Sequence, residues 1–469
     1  MEAAEFGVEL AEIELPDYEL PRDEPVVPQA TYEARLLSVE RAAAESELDA
    51  LIVYGDREHF ANIAYLTKFE PRFEEALLIL VPGRRPRLVV GNECEAYAAI
   101  SPVDLDVVRY QSFSLVSQPR SESPTLETVL RDAGLDGKKT HCVGVAGWKY
   151  FTTREFDQPE RRLDAPAFIV DELRGMGCTP TNVTQLFSEP GRGIRLVNDA
   201  DQLAYFEFAA SHGSEAMRRL IFGIAPGMTE FEAFSLYQPI GLPFSYHPLL
   251  LSGERTVLGL ASSSSRELRR GDPMSAGFGY WGSNIARSGF LVEDSEDLDE
   301  GIRDYIGRLV APYFAAAVEW YETVGIGVTG GELYDVVKRR LGAPFFGVHL
   351  NPGHFIHLDE WPSSPVYEGS SIELQSGMAL QLDVIPATGT DYHTSNIEDG
   401  VALASEPTRE ELSERFPGLW SRVERRRSFM REELGINLKP EVLPLSGLAG
   451  YLPPFWLAPK RALRCIRNG

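Results

Sequence analysis

Residues 345–400 hold His354, Asp383 and Glu398, one imidazole and two carboxylates in a single stretch of chain. Such a set can hold one divalent ion and leave coordination positions open for water and substrate. Without an ion it can move protons. Two carboxylates about 4 Å apart repel by roughly 4 kcal/mol at an effective dielectric near 20, so one keeps its proton and the pair becomes an acid and a base, with the imidazole as shuttle. His357 follows His354 in Gly-His-Phe-Ile-His-Leu-Asp-Glu-Trp-Pro, where it either lines the same pocket or serves as a structural histidine. His349 and His393 read as structural or rim residues. His247, in Phe-Ser-Tyr-His-Pro, precedes a strand and can face the cleft.

The elements that must position these groups are legible in part. With 469 residues the chain is too long for one ordinary core, and two domains are the simplest division. Hydrophobic residues at 43% and charged residues at 25% mark a globular protein rather than a disordered or fibrous one. The net charge of −25 repels phosphate backbones and anionic lipid, which argues against nucleic acid and membrane surfaces as partners. No segment reads as a signal peptide or a membrane span, and Cys94, Cys142, Cys178 and Cys465 lack disulfide or zinc spacing, so a reduced cytoplasmic setting is expected. Residues 1–28, acidic and rich in Pro, are expected to form an arm on the surface or across a partner subunit. Beyond them an amphipathic helix over Thr31–Ser46 and buried strands at Ala50–Tyr54, Ala76–Val81 and Arg87–Gly91 open an α/β domain that ends near Val197. The Glu293–Glu300 run lacks the central Gly and spacing of a calcium loop and reads as a solvated helix N-terminus. No phosphate-binding or dinucleotide fingerprint follows a strand.

The C-terminal half contains a repeat. Gly227-Met-Thr-Glu-Phe-Glu-Ala-Phe234 and Gly327-Val-Thr-Gly-Gly-Glu-Leu-Tyr334 share Gly, apolar, Thr, two variable residues, Glu and a later aromatic at an offset of 100 residues. In each copy the Thr caps a helix and the Glu completes a capping box. A long helical stretch precedes each copy (Asp199–Phe222, Ile302–Val324) and a hairpin follows (Ser275–Val292, Met378–Leu403), which predicts two similar units about a pseudo-twofold axis.

Together with this repeat, the ordered set Tyr65-Leu66-Thr67, Ser252-Gly253-Glu254, Arg269-Arg270-Gly271-Asp272, Gly353-His354, Gly377-Met378 and Ile397-Glu398-Asp399-Gly400 resembles the creatinase, aminopeptidase P and methionine aminopeptidase family. The resemblance covers most of the chain. It implies an α/β (α+β) architecture: a creatinase-like N-terminal α/β domain over residues 29–197, a duplicated pita-bread catalytic domain over 198–440 and a C-terminal strap over 441–469. Peptidases of this family hold two divalent metals with two Asp, one His and two Glu. Carried over residue by residue, the His falls on His354, the first Glu on Asp383 and the last Glu on Glu398. The hairpin that supplies the two Asp ligands departs from the pattern, with Asn284 at one position and Gly277 near the other. The auxiliary histidines of the family fall on Leu260 and near Trp361.

A complete two-metal centre needs bridging carboxylates, which these substitutions remove. The cofactor expectation is therefore none or one divalent ion, with His354, Asp383 and Glu398 as ligands in the mononuclear case and Asn284 as a weak oxygen donor. As catalytic groups the same three residues follow the metal-free creatinases, although the creatinase catalytic His corresponds to Leu260. Substrate contacts are expected from Arg72, on a loop that in creatinase-like dimers reaches the partner's site, and from His247, Tyr280, Asn284, Arg287 and His357. Arg287 is expected to brace the site's carboxylates. The reading is a homodimeric hydrolase of a C–N bond in a small amide, amidine or peptide-like molecule. The alternative is a noncatalytic binding protein on the same fold, and a third reading is an Xaa-Pro aminopeptidase or dipeptidase with an intact metal site.

Overall fold

The computed structural model of the protein describes residues 6–137 and 140–467 and divides into two compact units. One is continuous, Val27–Leu196; the other joins the N-terminal segment to everything from Val197 onward. The strands are β1 (Gly7–Glu12), β2 (Ala50–Gly55), β3 (Ala76–Leu80), β4 (Arg87–Val90), β5 (Asp106–Arg109), β6 (Cys142–Ala146), β7 (Thr179–Asn182), β8 (Leu249–Ser252), β9 (Pro273–Phe278), β10 (Ile285–Phe290), β11 (His354–Phe355), β12 (Ala379–Asp383), β13 (Asn396–Leu403), β14 (Val442–Pro444) and β15 (Arg461–Ile466). Among the described residues no helix is long and apolar enough to cross a membrane. The four cysteines are free thiols.

The Val27–Leu196 unit is built on a six-stranded mixed sheet ordered β5-β4-β3-β2-β6-β7. Its central strands are apolar at every position because helices cover both faces. Alternation then sends Leu51 and Val53 into one core cluster, and Ala50, Ile52 and Tyr54 into the other. The strand Thr179–Asn182 and the helix Ala61–Thr67 were not expected from the sequence; neither is long enough to show a period of its own.

The larger unit carries a seven-stranded antiparallel sheet ordered β11-β12-β13-β10-β9-β8, with β14 on the edge of β13. The order places the repeat in space. The last strands of the two hairpins, β13 and β10, lie side by side, and each hairpin continues outward in mirrored sequence. Both predicted capping boxes form: Thr229 and Glu232 open the helix Glu230–Ser235, and Thr329 and Glu332 open Gly330–Leu341. The likeness extends further than the motif. Gly227 and Gly327 have φ of 88° and 83°, and their amides donate to Leu268 and Leu374 at 2.9 and 2.8 Å. The long helices before the copies span Ala200–Gly223 and Ala311–Thr323, the second preceded by a π-helical turn at Ile306–Val310.

Part of the N-terminal segment is held by the C-terminal strand. β1 pairs antiparallel with β15, from Gly7↔Ile466 to Glu12↔Arg461, so the two ends of the chain form their own ribbon. The partner strand is remote in sequence, which is why residues 1–28 show no strand signal by themselves.

Candidate active site

A single transverse row of the seven-stranded sheet sets up the site. Asp383 on β12 pairs with Glu398 on β13, Glu398 pairs with Ala286 on β10, and Ala286 pairs with Gly277 on β9. Directly paired residues of antiparallel strands point to the same face, and so do residues two apart along a strand. Asn284, two before Ala286, and Gln381, two before Asp383, therefore share the face of the row, and His354 joins them through its pairing with Gln381. The opposite parity puts Arg287 and Asp399 on the reverse face. One half of the repeat contributes Asp383 and Glu398; the other has Gly277 and Ala286 at the corresponding places.

His354 is fully buried on a two-residue strand. Its entry requires Gly353: φ is 136°, and a Cβ there would press on the Gln381 carbonyl at 2.9 Å and the Trp320 ring at 3.3 Å. Nδ1 lies 2.8 Å from the Phe355 carbonyl, which can only accept, so this nitrogen carries the proton and donates. The other nitrogen, Nε2, has no hydrogen-bond partner and faces three carboxylates: Glu398 at 3.5 Å, Asp383 at 3.8 Å and Glu360 at 3.9 Å. The Trp361 ring stacks on the imidazole with centroids 4.1 Å apart and planes 19° off parallel. Asn284 Nδ2 donates to Glu398 Oε1 at 2.7 Å, and Gln381 Nε2 donates to the Asn284 carbonyl at 3.1 Å.

Both carboxylates of the row are pushed well above their ordinary range. For Asp383 burial is the main cause, followed by the negative charge of Glu398 directly opposite; His354 acts the other way. For Glu398 burial again leads, followed by the charges of Glu360 and Asp399, against the Asn284 hydrogen bond. A carboxylate whose folded-state value is raised binds more protons folded than unfolded, so its ionisation weakens the fold as pH rises from about 3.9, the unfolded value, through the raised one. Asp383→Asn is therefore expected to raise the melting temperature of chelator-treated protein by roughly 1–4 °C at pH 8, with a smaller gain at pH 5. Calorimetric melts at the two pH values check this, and a gain that does not shrink toward pH 5 would refute the repulsion.

Glu360 was not singled out from the sequence. Its ligand oxygen lies within 4.8 Å of those of His354 and Glu398, which makes this trio a possible grip for one ion. The turn after β11, in which the His357 amide reaches the Asp359 carbonyl at 3.2 Å, carries Glu360 and Trp361 to His354. The signal available was the Asp-Glu-Trp that follows His354 and His357. Tyr246 was also missed: its hydroxyl lies beside Gly277, and burial first, then the charge of Glu398, with smaller influences from Tyr237, Glu360 and Asp383, push it well above the ordinary phenol value. His354, Glu360 and Glu398 could hold an ion on this half of the row. No carboxylate comes from β9 or β10, and the space of a side chain at Gly277 is occupied by the Tyr246 hydroxyl.

The remaining candidates lie elsewhere. Arg287 is fully buried on the reverse face, where it donates to Asp399 Oδ2 at 2.6 Å and to the carbonyls of Ala286, Glu398, Leu448 and Tyr451. It braces the strand that carries Glu398 and cannot meet substrate. Tyr280 is packed: it stacks on Phe244 and its hydroxyl accepts from the Ile240 amide, so it is a cover rather than a contact surface. His247 is exposed and bonded to Ser262 Oγ at 3.0 Å. His357 is buried edge-on to Phe206, with centroids 5.3 Å apart, and its carbonyl accepts from Gly282. His393 Nδ1 meets Thr256 Oγ1 at 3.1 Å. Arg72 belongs to the Val27–Leu196 unit and is paired with Glu70.

No family model matches the sequence, and no curated protein sequence matches it. Solved structures do match. A prolidase from Pyrococcus horikoshii aligns at TM-score 0.61 and 15% identity, over 79% of this chain and 95% of that one. An Xaa-Pro dipeptidase from Bacillus anthracis aligns at 0.60 and 15%, over 80% and 96%. An X-Pro aminopeptidase from Thermotoga maritima aligns at 0.60 and 16%, over 79% and 95%. At such identities the likeness is one of fold, and it spans nearly the whole of each comparison chain. By element order, duplicated sheet and these alignments, the protein has the pita-bread fold of the Xaa-Pro peptidases.

Proposed function

We propose that the protein is a hydrolase of a C–N bond in a small peptide-like molecule, working with one divalent ion or none. The observation that carries this reading is His354 Nε2, buried, unpartnered and facing Glu398, Asp383 and Glu360. Leaving such a nitrogen and two such acids buried is costly in a fold with no use for them. Perturbed groups held together in this way are a common mark of catalytic sites.

The chain's own groups divide the work. Nδ1 is held by the Phe355 carbonyl, so the neutral ring presents the Nε2 lone pair to a water or to a departing amine. Trp361 fixes the plane of the ring and narrows the path for bulk water. Asp383 and Glu398, side by side and both raised, share protons: one accepts from the attacking water while the other supplies the leaving nitrogen. Asn284 holds Glu398 in orientation through its amide. Glu360, whose side chain is 35% exposed, is the member of the set nearest solvent and suits recognition of a substrate ammonium group. If an ion is bound, His354, Glu360 and Glu398 hold it, and it supplies polarisation of the scissile carbonyl and of a water.

The solved structures named above are of proline-specific peptidases, which makes Xaa-Pro dipeptides the first substrates to test. The experiment is amine release from a panel of dipeptides, N-acyl amino acids and small amidines, by chelated protein and by protein with added Mn²⁺. Turnover of at least one peptide-like member is expected. A second reading, a noncatalytic binding protein, is favoured by Gly277, Ala286 and Asn284, which take the Asp ligands out of one half of the repeat. Binding of panel members without turnover of any of them would establish that second reading and refute the first.

A further inference from the structure

We infer that Tyr246 stands in for the second ion of this fold: its hydroxyl fills the place of a ligand at position 277 and is the donor for the reacting carbonyl oxygen. The inference rests on the hydrolase reading above for its second part only; the first part is a matter of space.

The geometry begins on β9. A Cβ built on Gly277 would overlap the Tyr246 hydroxyl oxygen, and its next contact is the ring carbon Cζ at 3.4 Å. Two residues on, a Cβ on Gly279 would overlap Ser245 Oγ and lie 2.5 Å from the Ser283 carbonyl and 3.0 Å from Tyr246 Cε1. Positions 277 and 279 lie two apart in the chain, and the two glycines leave room for the 245–246 segment: the Tyr246 hydroxyl against Gly277, and Ser245 Oγ with the edge of the phenol ring against Gly279. The segment that carries the ring is pinned. Phe244 bridges to Tyr280, the Ser245 amide donates to the Gly279 carbonyl at 3.2 Å, and Ser245 Oγ donates to the Ser283 carbonyl at 3.1 Å. The hydroxyl is thus held in the transverse row of Asp383, Glu398, Ala286 and Gly277, on the charge-poor half of it.

That position has a chemical use. Asp383, Glu398 and Glu360 are acceptors, or proton donors only when neutral, and His354 presents a lone pair; an oxygen that gains negative charge finds no fixed neutral donor among them. The Tyr246 O–H supplies one. As water adds to the carbonyl carbon, the carbonyl oxygen becomes an oxyanion and accepts a hydrogen bond from Tyr246. The C–N bond then breaks, and the proton lost by water ends on the departing amine through Asp383 or Glu398. Tyr246 keeps its own proton throughout.

The test has two arms on the full-length protein. In the first, Mn²⁺ alone is titrated calorimetrically into chelated parent, into the Gly277→Asp/Asn284→Asp variant, and into that variant with Tyr246→Phe added. Removing the hydroxyl leaves ordinary contacts with the ring carbons Cζ and Cε2 at 3.4 and 3.7 Å, so the triple variant is expected to bind one ion more per chain than the parent, and the double variant is not. An extra ion in the double variant, or none in a folded triple variant, overturns the inference. In the second arm Tyr246→Phe alone is expected to lower kcat on a turned-over panel member by roughly 100-fold, with KM within about threefold, the signature of a donor used in the transition state. An unchanged kcat in a folded variant overturns the donor role and leaves the hydrolase reading intact. A parent that turns over nothing refutes the hydrolase reading, and the ion count still decides whether Tyr246 holds the place of the ligand.

Discussion

His354→Ala is expected to lower kcat/KM by roughly 1,000-fold while the protein stays folded. With Nδ1 held by the Phe355 carbonyl, the imidazole turns Nε2 toward Glu398, Asp383 and Glu360, where it can take or give a proton. General acid–base groups typically contribute about 10²–10⁴-fold, and a role in holding an ion would add to that. The side chain is buried under Trp361, so truncation also leaves a cavity and costs some stability. His354→Gln separates the two effects: it fills the space and can still meet the Phe355 carbonyl, yet it offers no basic nitrogen. Both variants should show parental far-ultraviolet circular dichroism and the same loss of rate. A Gln variant within about threefold of the parent would remove His354 from the chemistry.

The second large effect is structural. Arg287→Ala is expected to cost roughly 3–5 kcal/mol of stability, because it leaves a buried carboxylate without its counter-charge. Arg287 and Asp399 are both fully buried, 2.6 Å apart, and the same guanidinium ties β10 to β13 and to the carbonyls of Leu448 and Tyr451 in the C-terminal tail. Asp399 is already pushed up by burial and is held down by Arg287, so removing the arginine takes away the main opposing influence. Urea unfolding of the chelated protein measures the loss. The pair replaced together, Arg287→Met with Asp399→Leu, should recover most of it, since an apolar pair carries no desolvation cost. A loss under about 1 kcal/mol in the single variant would mean that water reaches Asp399 and that the brace is not needed.

What could be read in the sequence was local or periodic. The capping boxes at Thr229 and Thr329 announce themselves within four residues, and the strands Ala50–Gly55 and Ala76–Leu80 are continuous apolar runs. The duplicated fold followed from the offset between the two boxes and from the ordered motifs. The transverse row was out of reach, because register between β12, β13, β10 and β9 is fixed by pairings that no single segment encodes. The same gap hid the partner of Arg287, though not its bracing role: parity relative to Glu398, and not nearness in sequence, decides that it faces Asp399. Glu360 and Tyr246 lie on connecting segments without period, so only the folded chain brings them to His354 and Gly277. Tyr280, expected among the substrate contacts, is an aromatic residue near a hairpin tip, a place where packed covers are common, and its bridge to Phe244 makes it one.

The mirrored sheet order has a consequence for how the two halves tolerate change. Its inner row reads carboxylate, carboxylate, methyl, hydrogen across Asp383, Glu398, Ala286 and Gly277. Residues on one side of the axis are answerable to charge, and those on the other to volume. A saturation library scored for folding and for turnover should therefore separate along that axis. Substitutions at 286 would fail by size and in both screens together, whereas at 383 and 398 neutral isosteres would pass the folding screen and fail the other.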